Sequence, residues 1–369
     1  MEKLKIAVAV GTRPEIIRLS AVIKALHDSE IFDLTFIHTG QNYDYELNEI
    51  FFRDLTIPSP DHFLDAVGSS SGETAGNIIA KLSALFKRKS DYDAFLVLGD
   101  TDSALGAIAA KKAKIPVFHM EAGNRSFDNR VPEELNRKIV DALADINMPY
   151  SDISRERLIS EGFPADRIVT TGSPMREVLD GISDQVKSSD VLKRLNIESQ
   201  GYIVVSLHRA ENVSNKNELK DVVGMLTEVL RYYELPIIVS LHPRTKKEIE
   251  KHHPEFLSKS GIIFSKPFGF VDYVALQKNA FVTLSDSGTI SEESDILGFP
   301  AVNIRKSHER HEAMEKGVVI MSGLNSENVI RSIIFEKSIV NRPGSQVKDY
   351  NVPKVSIVVM KVLLSYYSY

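Results

Sequence analysis

Three carboxylates stand close together in one stretch of this chain. Glu121 lies in His119-Met-Glu-Ala-Gly-Asn-Arg125, and Glu133 and Glu134 follow in Val131-Pro-Glu-Glu-Leu-Asn-Arg137. An apolar run, Ile115-Pro-Val-Phe118, leads into the first of these segments, as a parallel strand does when it ends at a site. Upstream, Ala94-Phe-Leu-Val-Leu98 ends the same way, in Gly99-Asp-Thr-Asp102. Carboxylates gathered at the carboxyl ends of neighbouring parallel strands suit proton transfer. Helix caps and salt bridges are the plainer reading of any one of them. The joint pattern favours catalysis.

Other strand ends offer groups for an anion. The first ends at Gly11-Thr-Arg-Pro-Glu-Ile-Ile-Arg18, with glycine for a tight turn and Pro14 for the first turn of a helix. Arg13 then sits beside a helix N-terminus, which favours phosphate. An ordinary helix start is the alternative, since neither a P-loop ending nor Gly-x-Gly-x-x-Gly is present. Ser206-Leu-His-Arg209 closes a later strand, and His242-Pro-Arg244 the next. His208 suits donation to a phosphate or proton uptake, unless it is a satisfied structural residue. In Leu284-Ser-Asp-Ser-Gly-Thr-Ile-Ser-Glu-Glu293, Asp286 or Ser287 can cap a helix. Ser287, Gly288 and Thr289 there offer backbone N–H groups to a pyrophosphate. Glu293, one to two turns inside, can accept from ribose hydroxyls. Arg305 and Arg310 add cationic donors. His308 and His311 are three apart, which does not fit a His-Glu-x-x-His zinc helix, so no metal is expected. Tyr273, in Phe268-Gly-Phe-Val-Asp-Tyr273, can stack on a base or simply pack in the core.

The elements that must position these residues follow from the apolar pattern. The chain has 369 residues, 43% hydrophobic and 26% charged, enough for two domains that each bury a core. Its net charge of −5 and lack of a basic segment argue against a nucleic-acid partner. It has no cysteine, which excludes disulfides and thiolate chemistry. No run approaches the roughly 20 apolar residues of a membrane span. A cytoplasmic enzyme without membrane insertion is expected. Strands are predicted at 5–10, 34–39, 94–98, 117–120 and 168–171, with helices at 14–26, 73–86, 104–112 and 133–144 between them. Residues 180–198 are polar and mixed and read as an inter-domain connection. The alternation then restarts with strands at 202–207, 236–241, 261–264, 281–284, 301–304 and 318–321. This is βαβα twice over, an α/β fold of two parallel-sheet domains with a cleft between them. The expected division is 1–175 as the acid/base domain and 176–352 as the nucleotide domain. A last apolar helix, 353–369, is expected to return to the first domain.

Taken in order, these segments carry a resemblance. Gly11-Thr-Arg-Pro-Glu15, Gly99-Asp-Thr101, Glu121-Ala-Gly123, Pro132-Glu-Glu-Leu-Asn-Arg137, His208-Arg209, Asp286-Ser-Gly288 with Glu292-Glu293, and Glu309-Arg310 run through nearly the whole chain. The chain resembles the UDP-N-acetylglucosamine 2-epimerases, which share the GT-B-like fold of two Rossmann-like domains. The resemblance implies elimination of UDP across C1–C2 of a 2-acetamido sugar and its re-addition. It implies no cofactor, and a homodimer as the assembly. By resemblance, Asp100, Glu121 and Glu133 are the sugar-side acids and bases, and His208 assists near the phosphates. Arg13, Ser287, Gly288, Thr289 and Arg310 would hold the diphosphate, Glu293 the ribose, and Tyr273 would sit by the uracil. Arg18 stands where common members carry lysine and belongs to the substrate-binding set. Common members are two residues longer between Glu121 and Glu133 and have leucine where Asn124 stands. Around Gln41-Asn-Tyr-Asp-Tyr45 the usual activator-site glutamines are replaced. These departures resemble the UDP-N-acetyl-L-fucosamine synthases of capsule and O-antigen lipopolysaccharide pathways, which act on UDP-2-acetamido-2,6-dideoxy-L-talose. Epimerisation of UDP-N-acetylglucosamine, with or without hydrolysis, is the alternative, and a GT-B glycosyltransferase a distant one.

Overall fold

The computed structural model describes residues 2–41, 45–88, 91–127, 132–207, 216–241, 243–305, 310–339 and 344–366. By internal packing the chain forms two units, residues 1–181 with 348–369, and residues 182–347. Each unit is built on a six-stranded parallel sheet, as the α/β reading expected.

The first unit carries β1 (Leu4–Val10), β2 (Phe32–His38), β3 (His62–Phe63), β4 (Ala94–Leu98), β5 (Val117–Met120) and β6 (Ile146–Met148). Their order is β3-β2-β1-β4-β5-β6. Helices cover the faces, so the central strand β4 is apolar throughout and all five of its residues are buried. Ala104, Ala107, Ala109 and Ala110 are buried with Ile78, Leu82 and Phe86 against Phe95 and Val97. The expected helix 104–112 begins as a 3₁₀ turn, Asp102–Gly106, and becomes α-helical at Ala107–Lys112.

The second unit carries β7 (Ile203–Leu207), β8 (Ile237–Leu241), β9 (Ile262–Ser265), β10 (Val282–Ser285), β11 (Ala301–Asn303) and β12 (Ile320–Met321). Its order, β12-β11-β10-β7-β8-β9, repeats that of the first sheet. In both, the order reverses between the first and fourth strands, the switch point outside which α/β sheets bind ligands. For the first sheet that point is β1/β4, and for the second β7/β10.

Three expectations need correction. Residues 168–171 form no strand; Ile168 makes only an isolated bridge to Asn147, and the sixth strand is β6. Val169 and Thr171 still donate to the carbonyls of Asn147 and Pro149, but Pro149 has no N–H to extend a ladder. The segment 180–198 is not a free connection. Its helices Ser183–Ser188 and Val191–Arg194 belong to the second unit, where Ser189 Oγ donates to Asp272 at 2.7 Å and Arg194 pairs with the same carboxylate. The first unit runs past residue 175, because helix Met175–Gly181 is tied to the C-terminal helix Val355–Tyr366. Ser356 N and Oγ donate to Glu177 at 2.9 and 2.6 Å. That C-terminal helix lies on helix Arg13–His27, and Tyr366 meets Phe118 edge-on at 5.3 Å. No helix among the described residues is long and apolar enough to cross a membrane.

Candidate active site

At the end of β1 the chain enters helix Arg13–His27 through a capping box. Glu15 Oε2 accepts from Gly11 N (3.0 Å), Thr12 N (2.8 Å) and Thr12 Oγ1 (2.8 Å). Glu15 is buried, and that burial pushes its carboxyl up to about 7 against these donors and the Thr101 hydroxyl. Only glycine fits at position 11. A β-carbon there would fall 2.1 Å from Ser103 Oγ and 2.2 Å from Thr39 Oγ1. Those hydroxyls bond each other at 2.9 Å, and Ser103 Oγ donates to Gln41 Oε1 at 2.8 Å, joining the ends of β2 and β4 over that turn. Arg13 lies over the Phe51 ring at 5.9 Å.

The next two strand ends carry Asp100 and Glu121. β4 and β5 pair in register, Leu98 with Met120, so each acid follows closely on one strand's last residue. Glu121 is 7% exposed and has a φ of 65°, a left-handed conformation that costs a non-glycine residue about 1–3 kcal/mol. It is held there from several sides. Its N–H donates to Met148 O (3.1 Å), Arg18 pairs with Oε2, and Asn124 Nδ2 donates to Oε1 at 3.3 Å. Ser154 Oγ donates to Asn124 Oδ1 at 2.9 Å, which fixes which end of the amide faces Glu121. Asp100 is paired with the buried Arg137, and Asn136 Nδ2 donates to the Asp100 carbonyl at 2.9 Å.

The two adjacent glutamates of helix Pro132–Leu143 divide their work. Glu133 is exposed, whereas Glu134 is fully buried. Glu134 Oε2 accepts from Ser126 N (2.8 Å) and Oγ (3.0 Å) and faces Arg137 Nη1 at 3.3 Å. Burial opposes its ionisation, but these donors hold its carboxyl below the ordinary value. Glu134 thus steadies the arginine that holds Asp100, leaving Glu133 open to solvent.

The second unit places a different set at its switch point. Ser206 and Ser285 pair across β7 and β10, and the Tyr273 hydroxyl lies by both. Burial, with Glu293 and Asp286 nearby, pushes the Tyr273 phenol up. Thr289, and not Asp286 or Ser287, is the N-cap of helix Ile290–Leu297. Ser287 bonds Thr289 Oγ1 at 2.9 Å, and its N–H donates to Ser285 Oγ at 3.0 Å. Gly288 is the open point of this turn; the nearest group to a β-carbon there is Arg305 Nη1, at 3.9 Å. Glu293 Oε2 accepts from Gln277 Nε2 at 2.6 Å. Arg310 Nη2 lies 3.6 Å from buried Glu292. His208, Arg209, His242, His308 and Glu309 lie outside the described residues, as do Asn42, Tyr43 and Asp44.

The sequence motifs assign no role to Glu15, Gln277, or the buried set His119, Arg125 and Asp141, and they do not separate Glu134 from Glu133. For the helix residues the signal was present: Glu134, Arg137 and Asp141 recur at the spacing of one helix face.

A sequence model described as UDP-N-acetylglucosamine 2-epimerase matches residues 24–364. The structure of a UDP-N-acetylglucosamine 2-epimerase from Rickettsia bellii is similar with a TM-score of 0.92 and 43% identity, over 99% of this chain and 97% of that one. A UDP-GlcNAc 2-epimerase from Methanocaldococcus jannaschii, solved with UDP-GlcNAc and UDP, has a TM-score of 0.91 and 32% identity, over 98% of this chain and 100% of that one. The UDP-2,3-diacetamido-2,3-dideoxy-D-glucuronate 2-epimerase of Pseudomonas aeruginosa is 32% identical over 333 residues, 89% of this chain and 91% of the relative.

Proposed function

This chain belongs to the UDP-N-acetylglucosamine 2-epimerase family, and we propose that it inverts C2 of UDP-2-acetamido-2,6-dideoxy-L-talose to give UDP-N-acetyl-L-fucosamine. At the coarser level it is a UDP-sugar 2-epimerase, an isomerase. The C2 proton of such a sugar is not acidic, so inversion runs through elimination. A base takes the C2 proton, its electrons form the C1–C2 double bond, and the C1–O bond breaks with its pair leaving on UDP. In the return step the UDP oxygen adds to C1 and an acid delivers a proton to the opposite face of C2.

The observation that carries the reading is Glu121, held in a strained backbone between Arg18 and Asn124, beside an Asp100 anchored by its own buried arginine. Asp100, Glu121 and Glu133 take the acid/base roles, with His208 assisting near the phosphates. Arg13 and Arg310 with the Ser287-Gly288-Thr289 turn take the diphosphate. Glu293, oriented by Gln277, takes the ribose, and Tyr273 the uracil side. A homodimer is the proposed assembly, checked by its mass in solution.

The L-sugar preference rests on the departures from common members, above all Asn124 and the short loop after it. The Pseudomonas relative, at 32% identity, is named for another sugar, which supports treating the sugar as the variable part of the family. The names of the Rickettsia and Methanocaldococcus proteins favour a second reading, UDP-N-acetylglucosamine to its manno isomer, with or without release of free sugar. Incubation with each substrate in D₂O, followed by NMR, decides between them. Deuterium at C2 without an acceptor is expected, and faster turnover of UDP-N-acetylglucosamine at equal concentration overturns the L-sugar proposal.

A further inference from the structure

We propose that His119 is held as an imidazolium by Asp141, and that this buried ion pair sets the spacing of the two turns that carry Asp100 and Glu121. Both side chains are fully buried. His119 Nε2 lies 2.8 Å from the Gly99 carbonyl, and Nδ1 lies 2.9 Å from Asp141 Oδ1. Both partners are acceptors, whereas a neutral imidazole has one N–H to give. One further proton is needed, on the ring or on the carboxyl. Asp141 also pairs with Arg125 Nη1 at 2.8 Å and accepts from Gly123 N at 3.3 Å. A carboxyl surrounded by such donors stays ionised, so the proton belongs to the ring. Arg125 in turn pairs with Glu161, 2.5 Å from its Nη2, and also faces Glu134, so acids lie on several sides of the cluster.

The placement gives the pair its role, which rests on the epimerase reading. Gly99 immediately precedes Asp100. Gly123 is two residues beyond Glu121, and His119 two residues before it on β5. A β-carbon on Gly123, whose φ is 77°, would fall 2.5 Å from Ser154 O, so that turn has no room to shift. A single ion pair thus holds the backbone next to both acids, through Gly99 O and Gly123 N. His119 and Asp141 are positioning residues. A misplacement of about 1 Å in such a site costs on the order of 10² in rate.

The test combines nitrogen NMR with kinetics on the full chain. With ¹⁵N-histidine, both ring nitrogens of His119 should be protonated at pH 8, the signal being assigned by its loss in His119→Gln. Asp141→Asn should abolish that signature. Each variant should lower kcat about 100-fold while UDP affinity, by calorimetry, stays unchanged. Should His119→Gln fail to fold, the wild-type spectrum and Asp141→Asn still decide. A singly protonated His119 at pH 8 overturns the proposal, as does an unchanged kcat in Asp141→Asn. The spectrum needs no turnover. Wild-type protein that shows the signature but exchanges no deuterium at C2 overturns the epimerase reading and leaves the ion pair standing.

Discussion

The two units share a strand order but not a chemistry at its switch point. At the carboxyl ends of β1, β4 and β5 and on the helix after β5, the first unit gathers ion pairs: Arg18 with Glu121, Arg137 with Asp100 and Glu134, and Arg125 with Asp141. Between β7 and β10 the second unit gathers hydroxyls, a glycine turn and a helix N-terminus, around Ser206, Ser285, Ser287 and Thr289. Topology supplies the place in both. On the proposed reading, residue type then decides whether that place moves protons or holds an anion. Isolated carboxylates would be costly to bury, so the first unit surrounds each with donors and strains its backbone at Glu121. Backbone N–H groups at a helix start need no such scaffold to attract phosphate.

The largest expected effect breaks the first unit alone. Asp100→Asn and Glu121→Gln should each cut turnover by roughly 10²–10⁴, the scale of a general acid or base, with UDP affinity kept. Steady-state rates and UDP calorimetry check both halves. Near wild-type turnover of Glu121→Gln would remove the catalytic assignment.

The second test concerns how that unit tolerates buried acids. Glu15 has its carboxyl raised from 4.5 to about 7, burial being the main cause. The folded state therefore keeps a proton that the unfolded chain has lost. Its contribution is full below pH 4.5 and is lost as pH rises through 7, on the order of 3 kcal/mol in all. Glu15→Gln cannot ionise, so urea midpoints of wild type and variant should diverge between pH 5 and 7.5, in the variant's favour. Parallel midpoints across that window would mean that Glu15 is ionised when folded. His38 works in the opposite sense. Burial pushes it down to about 4, so its contribution is present above 6.5 and lost as pH falls through 4.

A smaller effect should come from the second unit. Glu293→Ala removes the carboxylate proposed to accept from a ribose hydroxyl, an interaction worth about 1.5–3 kcal/mol. UDP affinity should fall about tenfold to a hundredfold, while kcat at saturation changes little. A kcat loss as large as that of Glu121→Gln would erase the contrast between the units.

Much of this contrast was legible in the sequence, because long apolar runs mark central parallel strands and motifs mark their ends. What stayed hidden was short or depended on facing. β3 has two residues and β6 three, with Asn147 in the middle, too little for a pattern to register. The β-branched run Ile168-Val-Thr-Thr171 looks more like a strand than β6 does, yet Pro149 and the turn at Gly172 leave it unpaired beyond Thr171. Glu133 and Glu134 are neighbours, and only the helix face shared with Arg137 and Asp141 shows which one is buried. In the sequence Glu15 is only the last residue of the Gly11-Thr-Arg-Pro-Glu15 motif. Its raised carboxyl follows from the turns of β2 and β4 closing over it, which no local pattern encodes.

The smallest expected effect is at Asn124, and it sharpens the comparison most. Its amide is the neutral donor to Glu121, opposite the charged Arg18, and it stands where common family members have leucine. Asn124→Leu removes a long hydrogen bond of 3.3 Å and leaves Ser154 Oγ without its acceptor. A net loss of about 1 kcal/mol, or roughly fivefold in kcat, is expected. Asn124→Asp has nearly the same shape but sets a second carboxylate against Glu121, so it should lose more than the leucine variant. UDP affinity should be the same in both, because the second unit is untouched. If the two variants lose equal activity, the amide only fills space and the L-sugar preference must lie in the loop beyond it. If Asn124→Leu instead raises turnover of UDP-N-acetylglucosamine relative to the 6-deoxy substrate, the amide helps select the sugar as well as hold the acid.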